Sequence, residues 1–246
     1  MKKIIILAAF LLTQNLSLAQ YTNYQFFETF LQKYVDENGK VNYTKINSNK
    51  VDLDKVIARF DDLKPKQNWS KNEKLAYWIN AYNAFSIKLI IDNYPLKSIT
   101  EVSNAWKINF INFEGSKISL DDIDYRILKP LQEPRIHFAI NCASYSCPSL
   151  KNRAFYPDTI EQELENAAFT FLNDAERNQI SKKEAKLSKL FDWFAADFTT
   201  ELDLISFINQ YSKVKINNST KISYLDYNWS LNNVEAPVKE IGIAVK

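Results

Sequence analysis

Residues 70–92 read SKNEKLAYWINAYNAFSIKLIID. Ser70 and Glu73 stand at the spacing of a capping box, in which the serine oxygen takes a free N–H and the glutamate reaches back to the cap. A helix from Lys71 to about Asp92 is expected, with Leu75, Trp78, Ile79, Tyr82, Phe85 and Leu89 as its core stripe and Pro95 as its stop. At about 100° per residue, Glu73, Asn80 and Asn83 share one face within about 80°. Asparagine is a mediocre helix former, so two of them amid Trp78, Ile79, Tyr82 and Phe85 are held for hydrogen bonding. They either tie down neighbouring backbone or furnish a site.

Outward from this helix, the pattern stays mixed. Phe26, Phe27, Phe30, Leu31 and Tyr34 recur at helical spacing before a turn at Asp36-Glu37-Asn38-Gly39. A short extended piece around Val41 to Tyr43 and an amphipathic helix over Val51 to Leu63 follow. On the other side, Lys107 to Phe113 alternates as a strand, and Ser119-Leu120-Asp121-Asp122 caps a helix carrying Ile123, Ile127, Leu128 and Leu131. Arg135 to Asn141 alternates strictly, with Ile136, Phe138 and Ile140 on one face and Arg135, His137, Ala139 and Asn141 on the other, which predicts a half-buried strand. Helices are expected from Asp158 to Leu172, Ser188 to Phe198 and Glu201 to Tyr211, and a last strand from Ile222 to Trp229. The fold class is α+β, a single mostly helical domain with a small sheet.

The chain begins with Lys2 and Lys3, a nine-residue apolar run from Ile4 to Leu12, and a polar stretch ending Ser17-Leu18-Ala19 before Gln20. This is the layout of a signal peptide, and the run falls well short of the roughly 20 residues that a bilayer-spanning helix needs. Cleavage after Ala19 is expected, leaving residues 20–246 as one domain without a membrane span, exported to the periplasm or beyond. The chain carries 31 basic and 29 acidic residues, and removal of Lys2 and Lys3 leaves 29 against 29. A neutral protein lacks the positive footprint that a phosphate backbone demands, so nucleic acid is not an expected partner.

Two scarcities exclude whole function classes. Gly39, Gly115 and Gly242 are the only glycines, so neither a GxxxxGK[ST] phosphate loop nor a GxGxxG dinucleotide turn can be written. His137 is the only histidine, which rules out a paired-histidine metalloprotease helix and a His-rich zinc site. No cofactor is expected.

The chemistry-bearing residues gather at His137, Cys142 and Cys147, around the turn-prone Ala143-Ser144-Tyr145-Ser146. On a straight strand His137 and Cys142 would lie roughly 16 Å apart, too far for a direct catalytic pair. A reversal at residues 143 to 146 returns Cys147 toward Cys142. Three readings follow: a structural disulfide, favoured by an oxidising compartment; a thiolate activated by His137 and Arg135; and a metal held by His137 and both cysteines, for which no fourth ligand stands nearby. A third local feature, Tyr227-Asn228-Trp229-Ser230-Leu231-Asn232, is read as edge-strand packing or as a ligand platform.

These stretches resemble the bacterial and plant proteins grouped as domain-of-unknown-function family 547. The matching residues are Tyr34-Val35 with Gly39-Lys40-Val41-Asn42-Tyr43, Asn72 through Ala84, Ser119-Leu120-Asp121-Asp122-Ile123, Pro134 through Ala139 with Cys142 and Ser146 through Leu150, and Trp229-Ser230-Leu231-Asn232. The resemblance implies an α+β domain and a polar signature on Glu73, Asn80, Asn83, Arg135, His137, Cys142 and Cys147, without supplying a reaction. Tyr125 stands where the family often has histidine, and Asn228 where it often has aspartate. Plant relatives are intracellular, where disulfides are rare, which weighs toward a role for the cysteines beyond crosslinking. A helix followed by a His-bearing strand is also similar, by analogy alone, to papain-like and transglutaminase-like folds, where Asn83 would stand in the place of their cysteine.

The sequence thus leads to an exported protein with a polar pocket around His137 and the long helix, in which Glu73, Asn80, Asn83, Arg135 and His137 line one concavity. It is expected to be an envelope hydrolase or acyl transferase, or else a non-catalytic ligand- or protein-binding module stabilised by a Cys142–Cys147 disulfide. Its partner is expected to be a small molecule, a peptide or a cell-envelope component.

Overall fold

The computed structural model describes residues 24–63 and 65–234, so the expected leader over residues 1–19 lies outside the described residues. Helix α1 (24–34) buries Tyr24, Phe27, Phe30, Leu31 and Tyr34 along one stripe, while Phe26, counted inward by spacing, turns out to solvent. The turn that follows is built by Asp36, whose carboxylate accepts from the N–H groups of Asn38 at 2.9 Å and Lys40 at 2.8 Å. Gly39 sits there at φ +77°, and a Cβ on it would meet the backbone N of Leu150 at 2.7 Å. Glycine therefore lets this turn press onto the segment after the cysteines.

Val41 bridges to Val35 and Asn233, and the expected extension through Tyr43 gives way to helix α2 (Tyr43–Ser48), because the Asn42 side chain caps Lys45. Helix α3 (Lys50–Asp62) buries Leu53, Val56, Ile57 and Phe60, as its periodicity predicts. Helix α4 (Lys71–Asp92) starts at the predicted box: Ser70 Oγ accepts from Glu73 N at 3.2 Å, and Glu73 Oε2 accepts from Ser70 N at 2.7 Å. Burial is not limited to the predicted stripe, since Ala76, Asn80, Ala81, Asn83, Ala84 and Ser86 are buried too. A helix covered on all sides is the axis of its domain, and the remaining elements wrap around it.

Strands β1 (Ile111–Phe113) and β2 (Ser116–Ile118) form an antiparallel hairpin with Ile111 opposite Ile118. The cap at Ser119 is present, with Asp122 N donating to Ser119 Oγ at 3.1 Å, but the helix it opens is a wide π turn over Asp122–Leu128. Such turns occur mostly where function tolerates their poorer packing.

The expected strand over residues 135–141 is a correction. Pro134–Phe138 is a tight helical turn of the three-residue type, with Glu133 capping the N–H of Arg135 and Ala139 N donating to Ile136 O at 2.9 Å. Pro134 favours a helical start, and among the described residues no strand lies alongside to complete a ladder. The alternation carried no facial information, because residues 136 through 141 are all buried.

Helix α5 (Ile160–Leu172) packs against this turn. Strand β3 (Gln179–Ile180) pairs antiparallel with β4 (Glu184–Leu187), which pairs parallel with a last strand β5 (Lys221–Tyr224) that is shorter than expected. Between them the helix expected over residues 188–198 breaks at Phe194 into α6 (Leu190–Trp193) and α7 (Ala195–Phe198), before α8 (Leu204–Tyr211). The described residues thus form one α+β domain with its β content split into two small sheets. Its core has two parts, one around α4 and an aromatic one around Phe138, Phe171, Phe191, Phe198 and Phe207. Ile136 and Ile140 belong to the first and Phe138 to the second, which leaves His137 at the seam. Among the described residues, no helix is long and apolar enough to cross a membrane.

Candidate functional site

His137 is placed by the Pro134–Phe138 turn and held from the opposite side by the broken helix. Its ring stacks on Phe194, centroids 4.0 Å apart, and meets Phe198 edge-on at 5.4 Å. Nε2 lies 3.0 Å from Oδ2 of Asp197, whose Oδ1 takes the Lys129 ammonium at 3.0 Å. The His137 hydrogen bond, aided by Lys129, holds the Asp197 carboxyl below the usual carboxylate range. Among the described residues Nδ1 has no hydrogen-bond partner. The side chain is 2% exposed, yet it lines two cavities at once.

The larger cavity, a cleft of about 800 Å³, is lined by charged pairs, Lys129 with Asp197 and Arg135 with Glu133 and Glu161, together with Lys71. The smaller, about 170 Å³, is walled by Trp106, Trp193, Tyr227 and Trp229, with Asp124 of the π turn and Asp121 just before it also lining it. Asp124 is 7% exposed, and its carboxyl has no hydrogen-bond or ion-pair partner among the described residues. Burial raises its pKa, an effect that His137 partly offsets, and burial raises that of Asp121 as well. Tyr125 lines both cavities beside His137, so the position where the resemblance leads one to look for histidine does belong to the site.

Cys142 and Cys147 also border the smaller cavity, with their sulfurs at disulfide distance and their Cα atoms 6.3 Å apart. The turn predicted between them is real. Ala143 takes the left-handed conformation at φ 62°, held by its N–H donating to Asn141 Oδ1 at 2.8 Å. The Cys147 sulfur is 3.1 Å from Cys142 N, 3.1 Å from Ser144 Oγ and 3.2 Å from the Tyr227 hydroxyl. Burial pushes that phenol up to about 12. His137 and Cys142 border the same cavity, since the chain between them is not the straight strand expected.

The other sequence-selected residues support this site rather than line the smaller cavity. Asn80 exchanges both amide bonds with the backbone of Phe155, at 2.8 and 2.9 Å. Asn83 donates to Ala139 O at 3.0 Å and accepts from Asn141 N at 2.8 Å, gripping the chain between His137 and Cys142. Glu73 is engaged in the cap of α4. Arg135 lines the larger cleft but is clamped by Glu133 at 2.6 and 2.7 Å and by Glu161 at 2.7 Å, Glu133 being the main cause of its raised pKa. The structure therefore brings His137, Arg135 and the cysteines to the cavities, but not Glu73, Asn80 and Asn83.

Asp197 and Asp124 were not singled out from the sequence, and neither were the walls Trp106 and Trp193. Tyr227 and Trp229 line the smaller cavity, while Ser230 and Leu231 of the same segment bridge to Ser98 and Ser144. Among the described residues no group of three or more histidine, cysteine, aspartate or glutamate side chains converges to hold a metal.

No curated protein and no solved structure matches the chain. Residues 66–172, which carry α4, the π turn, His137 and both cysteines, match the model described as Protein of unknown function, DUF547.

Proposed function

We propose that this is an exported hydrolase of the cell envelope in which His137, oriented by Asp197, acts as general base on water at the junction of the two cavities. The observation that carries this is the 3.0 Å contact of Nε2 with Asp197, which leaves Nδ1 without a partner among the described residues. With Nε2–H donated to the carboxylate, Nδ1 presents a lone pair that takes the proton of an attacking water, and Asp197 stabilises the resulting imidazolium. Lys129 holds the carboxylate in place and, after His137 itself, helps to lower its pKa. Water is favoured over a cysteine nucleophile, because the two sulfurs lie at bonding distance from one another. Export rests on the leader-like residues 1–19 and suits a disulfide.

Turnover of esters, peptides and peptidoglycan fragments by the wild type and by His137→Gln tests this. We expect a loss of about 100-fold or more in the variant, the range of a general base. Equal rates would sink the reading. A non-catalytic binding module is the second reading, supported by the aromatic walls of the smaller cavity, and a protein that binds a ligand there without converting any substrate would establish it.

A further inference from the structure

We propose that the smaller cavity is a binding site for a compact organic cation, a methylated or primary ammonium group, seated between the wall of Trp193, Tyr227 and Trp229 and the carboxylate of Asp124. Two independent features of the cavity lead there. The first is its wall: Tyr227 and Trp229 have ring centroids 4.5 Å apart, Trp193 lies 4.8 Å from Tyr227, and Trp106 closes the row 5.6 Å from Trp229. These rings are tilted against one another, and an aromatic face among them attracts a desolvated cation through its quadrupole, indole doing so best.

The second feature is an uncompensated charge. Asp124 is more than nine-tenths buried, borders the cavity, and has no partner among the described residues. Asp121 adds a second carboxyl on the same side, while no lysine or arginine lines the cavity. A buried carboxylate without a partner is costly, and a cation in the cavity removes that cost. An anion would meet two carboxyls, and a purely apolar group would leave Asp124 unanswered. A cavity of about 170 Å³ holds a small head group rather than a polymer.

This deepens the hydrolase reading and rests on it only for the link to reaction: a cation anchored here places its neighbouring bonds beside His137. Binding itself needs no turnover. The test is titration of the purified protein, followed by tryptophan fluorescence, with choline and with dimethylbutanol, which has the same shape with carbon in place of nitrogen. We expect choline to bind about tenfold or more tightly than the alcohol. We also expect Asp124→Asn to reduce that preference toward unity, and Trp193→Leu to weaken choline binding with the fold intact by circular dichroism. Equal binding of the two probes, or no binding of choline, overturns the proposal whatever the variants do. Because the preference for charge is read on the wild type, a variant that fails to fold leaves the result decisive. Loss of turnover in His137→Gln without any choline preference would retain the hydrolase and remove the cation site. A choline preference without turnover would do the reverse.

Discussion

Asn83 accepts the N–H of Asn141 at 2.8 Å while donating to the carbonyl of Ala139 at 3.0 Å, so one side chain of the central helix fixes the backbone on both sides of Ile140. Asn141 passes the constraint on. Its amide donates to Pro148 O at 2.7 Å, and its Oδ1 receives Ala143 N and the Asn232 amide, Asn232 being itself held by Tyr43 at 2.7 Å. The His137 turn, the cysteine loop and the aromatic segment behind the smaller cavity are thus registered against α4 by a chain of buried amides. Each is satisfied, which is what makes such a network specific rather than costly.

Removing the first link should therefore be expensive. Asn83→Ala strands a buried donor and a buried acceptor at once, each worth about 1–3 kcal/mol unsatisfied, for an expected loss of about 2–6 kcal/mol. Urea denaturation measures it. A loss below about 0.5 kcal/mol would mean that the freed backbone finds other partners and that Asn83 does not register the site.

How far the sequence reached follows from the range of the forces involved. Helix α4 and its cap were legible because Ser70 and Glu73 interact within one turn, and α3 because its exposed face restores the period. The turn at Pro134–Phe138 was not, since burial on every side erases the polar face that an alternating pattern is supposed to mark. Asn80 and Asn83 were correctly sensed as hydrogen-bonding groups, but a helix pattern cannot say that their partners lie 75 and 56 residues away. Asp197 meets His137 across 60 residues, and nothing near Asp197 in sequence advertises it. Asp124 did leave a trace: Asp122 serves the Ser119 cap, and Asp124 follows Ile123 in a stretch packed against the core with no local partner to explain it.

The two carboxylates of the site should titrate with opposite consequences. Burial raises Asp124 above the unfolded value of about 3.9, so the folded state holds its proton more tightly and stability falls as pH climbs from about 4 through the folded pKa. Asp124→Asn removes that loss. It should melt above wild type near neutral pH, with the gain vanishing by about pH 4. Asp197 is lowered, chiefly by His137, so its contribution is complete above about pH 4 and is lost as pH falls through the folded value. Asp197→Asn should melt below wild type at neutral pH and converge with it in acid. Thermal melts of the three proteins between about pH 3 and 7 decide the matter, and an Asp124→Asn protein less stable than wild type at neutral pH would mean that the carboxylate has a stabilising partner after all.

The cysteines supply the remaining test, because their loop is held twice. Their separation of five residues closes only a short ring, worth on the order of 2 kcal/mol in the chain-entropy model. Independently of the sulfurs, Asn141 grips Ala143 and Pro148, Arg177 Nε donates to Cys147 O at 2.8 Å, and Tyr145 N donates to Ser230 O at 2.6 Å. Reduction should therefore loosen the turn without unfolding the domain. Mass measurement after alkylation should show no modified cysteine in the protein purified without reductant, and two after treatment with a reductant. Cys142→Ser with Cys147→Ser should retain a cooperative melt at a midpoint lowered by several degrees, consistent with a loss on the order of 2 kcal/mol. Two alkylated cysteines before reduction would instead show free thiols bordering the same cavity as His137, and the choice of water over cysteine as nucleophile would then have to be reversed.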